Sequence, residues 1–245
     1  MIIAGDFGIS ARHAQFPAAA GAPMILTPIP PDELVAALDR FAEGLTDAAA
    51  RAAFAQIRAT SPDRAEGGAA EDDRRAAIAW ARACGVPVHP DGTDCAFNWD
   101  GTALDPGTEA YVILHEVAHF LIAPPERRSL PDFGLGPGPD TRDRDAASEA
   151  ATLTLAESEA DEAAASLIGI LWEADLGQPA LASFLDQNWL EGLGRSAAPH
   201  FERVVAQLAA YGDLPSPSHR FATDPSSPAM RASGKLDRGR PARIF

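Results

Sequence analysis

The sequence predicts a predominantly α-helical α+β domain, and three observations carry that expectation. Apolar residues recur at helical spacing over most of the chain between residues 31 and 214. Strand signal is sparse, with one hairpin pattern where Cys95-Ala96-Phe97-Asn98-Trp99 and Thr102-Ala103-Leu104 flank Asp100-Gly101. The chain has 245 residues and 46% hydrophobic content, enough to bury one good core.

Taken in order, the first thirty residues mix Gly, Pro and Ala without a period and read as a loosely ordered segment. Amphipathic helices follow over Asp32–Glu43, Asp47–Arg58 and Asp72–Ala83, the last stopped by Gly85. Val86-Pro87-Val88-His89 is an edge strand at most, because Pro87 has no N–H to give to a ladder. The Asp100-Gly101 turn suits a type I′ hairpin, a wall along which an extended substrate could lie. Asp105-Pro106-Gly107-Thr108-Glu109 then starts a helix whose apolar face is Tyr111, Val112, Leu114, Ala118 and Leu121, and Pro124-Pro125 ends it.

The Gly- and Pro-rich stretch from Gly134 to Asp140, running on through Thr141-Arg142-Asp143-Arg144-Asp145, is a loop over or beside the site, of the kind that serves as a lid. A long helix is expected from about Ala146 to Ala174, then helices near Leu181–Trp189 and Ala197–Tyr211. From Pro215 the chain has few apolar anchors and several basic residues, and reads as a disordered tail. The organisation expected is therefore a segment over 1–30, one domain over 31–214 and a tail over 215–245, with no internal repeat.

A formal net charge of −15 argues against nucleic acid or an anionic membrane as the main partner. No stretch is long enough to span a bilayer, and no early positive cluster marks a secretory signal, so a cytoplasmic protein is expected. Cys84 and Cys95 are then reduced, and their spacing does not form a zinc knuckle.

Chemistry enters at His115-Glu116-Val117-Ala118-His119. Two imidazoles four residues apart lie on one helix face within reach of a single divalent ion, and Glu116 beside them is placed to act on a proton or on bound water. Catalytic sites of this type take a third protein ligand, for which the helix after residue 146 offers Glu157, Glu159 and Glu162. Ala160, Ala164, Leu167, Ile168 and Leu171 define an apolar stripe, and Glu157 falls in it while Glu159 and Glu162 fall opposite. Glu157 is therefore the expected ligand, with Asp161 accepting the free N–H of a ligating histidine.

This pattern resembles the gluzincins, in which His-Glu-x-x-His on one helix is joined by Glu-x-x-x-Asp on the next, matched here by His115, Glu116, His119, Glu157 and Asp161. The resemblance implies a zincin-like helix pair and a zinc peptidase. A second resemblance covers residues 110–134. His115 to Phe120, Ile122-Ala123, Glu126-Arg127-Arg128, Leu130 and Asp132-Phe133-Gly134 are similar to the elongation factor P hydroxylase family, which implies oxidation of a modified lysine on a protein. Aligning that family's glutamate favours Glu159 over Glu157.

Arg127 and Arg128, just past the metal helix, could hold a carboxylate of a substrate or cosubstrate; the alternative is a clamp within the protein, to Asp132. His200 could reach the site as an electrophilic donor, although a lone histidine is more often structural. Zinc at the site would serve peptide hydrolysis with Glu116 as base; iron on two histidines and a carboxylate would serve hydroxylation of a protein or peptide. The more particular run through Asp132-Phe133-Gly134 favours the hydroxylase. A silent binding protein on the same scaffold is a third reading, against which Glu116 speaks, since metal binding does not need it.

Overall fold

The computed structural model describes residues 29–138, 141–190, 197–212 and 214–217. Within them the chain forms α1 (Pro31–Gly44), α2 (Ala48–Arg58), α3 (Gly67–Ala83), α4 (Ala110–Ile122), α5 (Arg144–Ala150), α6 (Leu155–Leu176), α7 (Ala180–Asp186) and α8 (Ala197–Leu208). Short 3-10 turns occupy Arg127–Ser129, Pro131–Gly134 and Ala209–Tyr211. No strand forms among the described residues, so the α+β expectation is corrected to an all-helical fold there. Most of the loose ends expected at 1–30 and 215–245, with Asp140 of the loop, lie outside the described residues.

The chain does reverse at Asp100-Gly101, but no ladder grows from the reversal. Trp99 and Leu104 make one isolated antiparallel bridge, and Val88 and Leu104 one parallel bridge. The Asp100 carboxylate accepts from the backbone N–H of Thr102 at 2.7 Å and of Ala103 at 2.9 Å, and from the Thr102 hydroxyl at 2.7 Å. Such a side-chain turn competes with strand pairing for the same donors. The Leu104 N–H turns instead to the Pro87 carbonyl at 2.9 Å. The expected small sheet, and with it a strand wall for a substrate, is absent among the described residues.

Helix α6 is the axis of the fold. From Ala164 to Glu173 every residue is buried, because α4, α2, α7 and α8 pack around it, with α3 on the outer side of α4. Phe41, Phe54, Phe184 and Phe201 meet on the α1–α2–α7–α8 side, with centroids 4.7 to 6.4 Å apart and mostly tilted or edge-on geometry. No helix among the described residues is long and apolar enough to cross a membrane.

The expected single helix over Ala146–Ala174 is two. Helix α5 stops at Ala150, and α6 restarts behind Thr154, whose hydroxyl accepts from the Glu157 N–H at 3.4 Å. The Glu157 carboxylate returns to the Thr154 N–H at 2.9 Å, closing a capping box. This reciprocal pair satisfies donors that a continuous helix would not expose, and it fixes where α6 begins.

Near the far end of α6, Glu173 is only 2% exposed and lies 3.6 Å from Arg64. Burial outweighs the Ser183 hydrogen bond and the Arg64 charge, and pushes its carboxyl from the usual 4.5 up to about 8. The fold therefore favours the protonated acid: this contribution to stability is full below pH 4.5 and is lost as pH rises through about 8. Glu173→Gln should raise the melting temperature at pH 8 and leave it nearly unchanged at pH 4.5. Equal melting shifts at both pH values would show that ionisation of Glu173 plays no part.

Candidate metal centre

Helix α4 buries Val112, Ile113, Leu114, Val117 and Ala118 and leaves His115 and His119, one turn apart, beside α6. The two Nε2 atoms are 2.9 Å apart. Glu162 of α6 brings its Oε2 to 3.2 Å from His115 Nε2 and 3.5 Å from His119 Nε2. Tetrahedral ligands about 2.1 Å from an ion stand about 3.4 Å from one another, so these three donor atoms have the spacing of a first-row divalent metal site. The donor chemistry also fits, since two imidazole nitrogens turned toward each other share one carboxylate oxygen.

Glu157, the ligand expected from the sequence, is exposed and held in the capping box, and Glu159 is exposed as well. The apolar stripe failed as a guide because α6 is buried on every side over its central turns, so apolar spacing does not mark the side that meets α4. That side is marked by a small residue. A Cβ on Gly169 would stand 3.2 Å from the His115 nitrogen and 3.3 Å from its Cα, so the two backbones touch at the metal motif. Glu162 lies two turns before Gly169 on the same face, with Ala165 between them. Thr154-x-x-Glu157, a capping signature, and this line of small residues were the signals that could have found Glu162.

Asp161 of α6 lies beside His119. Its Oδ1 lies 2.8 Å from His119 Nδ1, which turns His119 Nε2 to the ligand position, and its Oδ2 pairs closely with Arg127 Nη2. Burial opposes ionisation of Asp161, but His119 and Arg127 outweigh it and hold the carboxyl below the usual range.

Both arginines turn inward, away from the expected role in gripping a substrate carboxylate. Arg127 is 8% exposed and spends its guanidinium on Asp161 and, at 3.3 Å, on the Phe133 carbonyl. Arg128 donates to the Ala123 carbonyl at 2.9 Å and the Leu121 carbonyl at 3.4 Å, at the negative end of α4, and lies over the Phe120 ring. The expected clamp to Asp132 is made by Thr141 instead, whose hydroxyl donates to Asp132 at 2.6 Å.

Glu116 is buried, hydrogen-bonded to Asn98, and pushed up to about 8 by burial, with the charges of Asp132 and Glu162 adding and that of His119 opposing. Asp132 is likewise raised to about 6, by burial and then by Glu162 against the Thr141 hydrogen bond. On His119, burial disfavours charge but Glu162 and Asp161 outweigh it; on His115, burial and the His119 charge favour the neutral ring. Asn98, Asp132 and Phe133 thus join the surroundings of the site. Their positions follow from the Asp100 turn and the Arg127 contacts, which spacing does not encode.

His200, offered by the sequence as a possible donor, stacks on Trp189 at 5.4 Å in α8 and is not among the residues brought to the imidazoles. Cys84 and Cys95 are not joined in a disulfide, and Cys95 is buried.

Neither the curated proteins nor the solved structures contain a match to this chain. A family model for elongation factor P hydroxylase matches residues 109–161. The match begins at the residue before α4, takes in His115, Glu116, His119, Arg127 and Phe133, and stops one residue short of Glu162. The chain is therefore similar to the elongation factor P hydroxylase family over the segment that builds the greater part of its candidate metal centre.

Proposed function

We propose that this chain is a metal-dependent hydroxylase-type enzyme acting on a side chain of a protein or peptide, with one divalent ion held by His115, His119 and Glu162. The observation that carries the reading is the overlap of the hydroxylase family match with the residues that converge on the site. Two histidines and one carboxylate leave positions open beside the ion, and iron held so supplies the redox chemistry of hydroxylation. In the overall reaction one atom of O2 enters a C–H bond as hydroxyl. The other leaves as water with two electrons and two protons from an external reductant.

The chain's own residues supply order around that centre. Asp161 fixes the His119 proton at Nδ1, and Glu162 offers Oε2 beside both Nε2 atoms. Glu116, adjacent to a ligand but not in the triad, holds a proton in a buried setting beside Asn98 and would be the group available for proton transfer. Peptide hydrolysis is the alternative outcome, and zinc is the metal that would serve it.

Metal exchange separates the two. Iron-loaded protein with a reductant should add one oxygen atom to a protein or peptide substrate in air and not under nitrogen, while zinc-loaded protein stays silent. Glu116→Gln should keep its metal and fold while turnover falls by about a hundredfold. Peptide cleavage by the zinc form without oxygen would overturn the hydroxylase reading and leave the metal centre standing.

A further inference from the structure

We infer that Arg127 is a positioning residue for the metal centre, the keystone that locks the His119 imidazole from two sides at once. The inference rests on the reading of His115, His119 and Glu162 as metal ligands. His119 is buried, and two groups fix its ring. Asp161 holds Nδ1 at 2.8 Å, which sets rotation about the ring axis. Phe133 stacks on the ring face with centroids 5.5 Å apart and planes 30° apart, and is itself stacked on Trp99 at 5.2 Å and 6°.

Arg127 is bonded to both holders. Its Nη2 pairs with Asp161 Oδ2, the oxygen that His119 does not use, and its Nη1 donates to the Phe133 carbonyl at 3.3 Å. A planar guanidinium presents these donors in fixed relation, which an ammonium cannot do. The Phe133 end needs such a grip. Asp132 and Phe133 both have positive φ, 45° and 52°, followed by Gly134 at 70°. A bulky residue holds that conformation only where its surroundings over-determine it. The tie therefore converts a strained turn and a carboxylate into one rigid bracket around a ligand.

The test uses the full chain with Arg127→Met, Arg127→Lys and Asp161→Asn, reading three quantities. These are the melting temperature, the zinc(II) dissociation constant by competition with a chromophoric chelator, and the His119 Nδ1–H resonance of metal-free protein labelled with 15N-histidine. Folded Arg127→Met is expected to bind zinc about 10- to 100-fold more weakly, the range seen when partners of metal ligands are lost. Its Nδ1–H resonance should broaden or vanish through exchange with solvent.

Arg127→Lys, which keeps the charge but not the two-armed geometry, should fall between the wild type and Arg127→Met in both readouts. It carries the test if Arg127→Met does not fold. Adding Arg127→Met to Asp161→Asn should weaken zinc binding less than the two single effects combined, since both break one chain of contacts.

A lowered melting temperature with wild-type zinc affinity and an unchanged resonance would overturn the inference. If the wild-type chain binds no zinc or iron, the metal reading falls, and the resonance alone then decides: unchanged from wild type in folded Arg127→Lys, it refutes the bracket, and broadened or lost, it upholds it.

Discussion

Alanine at His115 or at His119 is expected to abolish binding of one equivalent of metal, measured by elemental analysis of protein purified without oxygen. Each replacement removes one of three donors, and the two that remain cannot close a site against water. The informative comparison is between the two glutamates of α6. Glu162→Ala should weaken zinc binding by orders of magnitude, because its Oε2 is the carboxylate oxygen 3.2 Å and 3.5 Å from the two imidazole nitrogens. Glu157→Ala should leave the metal in place and lower stability only slightly, through loss of the capping box. Metal lost from the Glu157 variant and kept by the Glu162 variant would reverse the assignment.

A side chain at position 169 should damage the centre without touching any donor atom. The ideal Cβ already lies 3.2 Å from the His115 nitrogen, so alanine requires a shift of a few tenths of an ångström. Its better helix propensity offsets about 1 kcal/mol of that strain, and Gly169→Ala should melt close to the wild type. Gly169→Val has no such compensation. Two more methyl groups between packed backbones force α4 away from α6, at a cost of about 3 kcal/mol or more. Because the histidines ride on one helix and Glu162 on the other, zinc affinity should fall with side-chain volume from Gly to Ala to Val, more steeply than stability. A Val variant with native zinc affinity would show that the helix spacing does not set the ligand geometry.

The helical elements were legible in the sequence because their signals are local. Helix α2 starts at Ala48 where the apolar spacing placed it, capped by Asp47 with Ala50 N–H on its carboxylate at 2.9 Å, and Pro124-Pro125 follows the end of α4. His115 and His119 needed only helical geometry. What failed was non-local. The Asp100 carboxylate captured donors that strand spacing had reserved for a hairpin, and α6 proved surrounded, so an apolar stripe could not tell the α4 side from the others. The inward turn of Arg127 depends on where Asp161, far along the chain, arrives beside Phe133. A charged pair after a helix carries no mark of that.

The left-handed run at Asp132-Phe133-Gly134 narrows the alphabet that evolution can use there. Position 134 has a positive φ, and an added Cβ would stand 2.8 Å from the Thr152 hydroxyl and 2.9 Å from the Leu130 side chain, so only glycine enters without rebuilding both neighbours. Position 132 admits residues that tolerate this conformation, of which aspartate and asparagine are the natural pair, but only those that also accept the Thr141 hydroxyl survive. Position 133 must be aromatic to stack between Trp99 and His119 while sitting where aromatic residues are disfavoured. Three adjacent sites with almost no neutral neighbours in sequence space make a short word that drifts slowly.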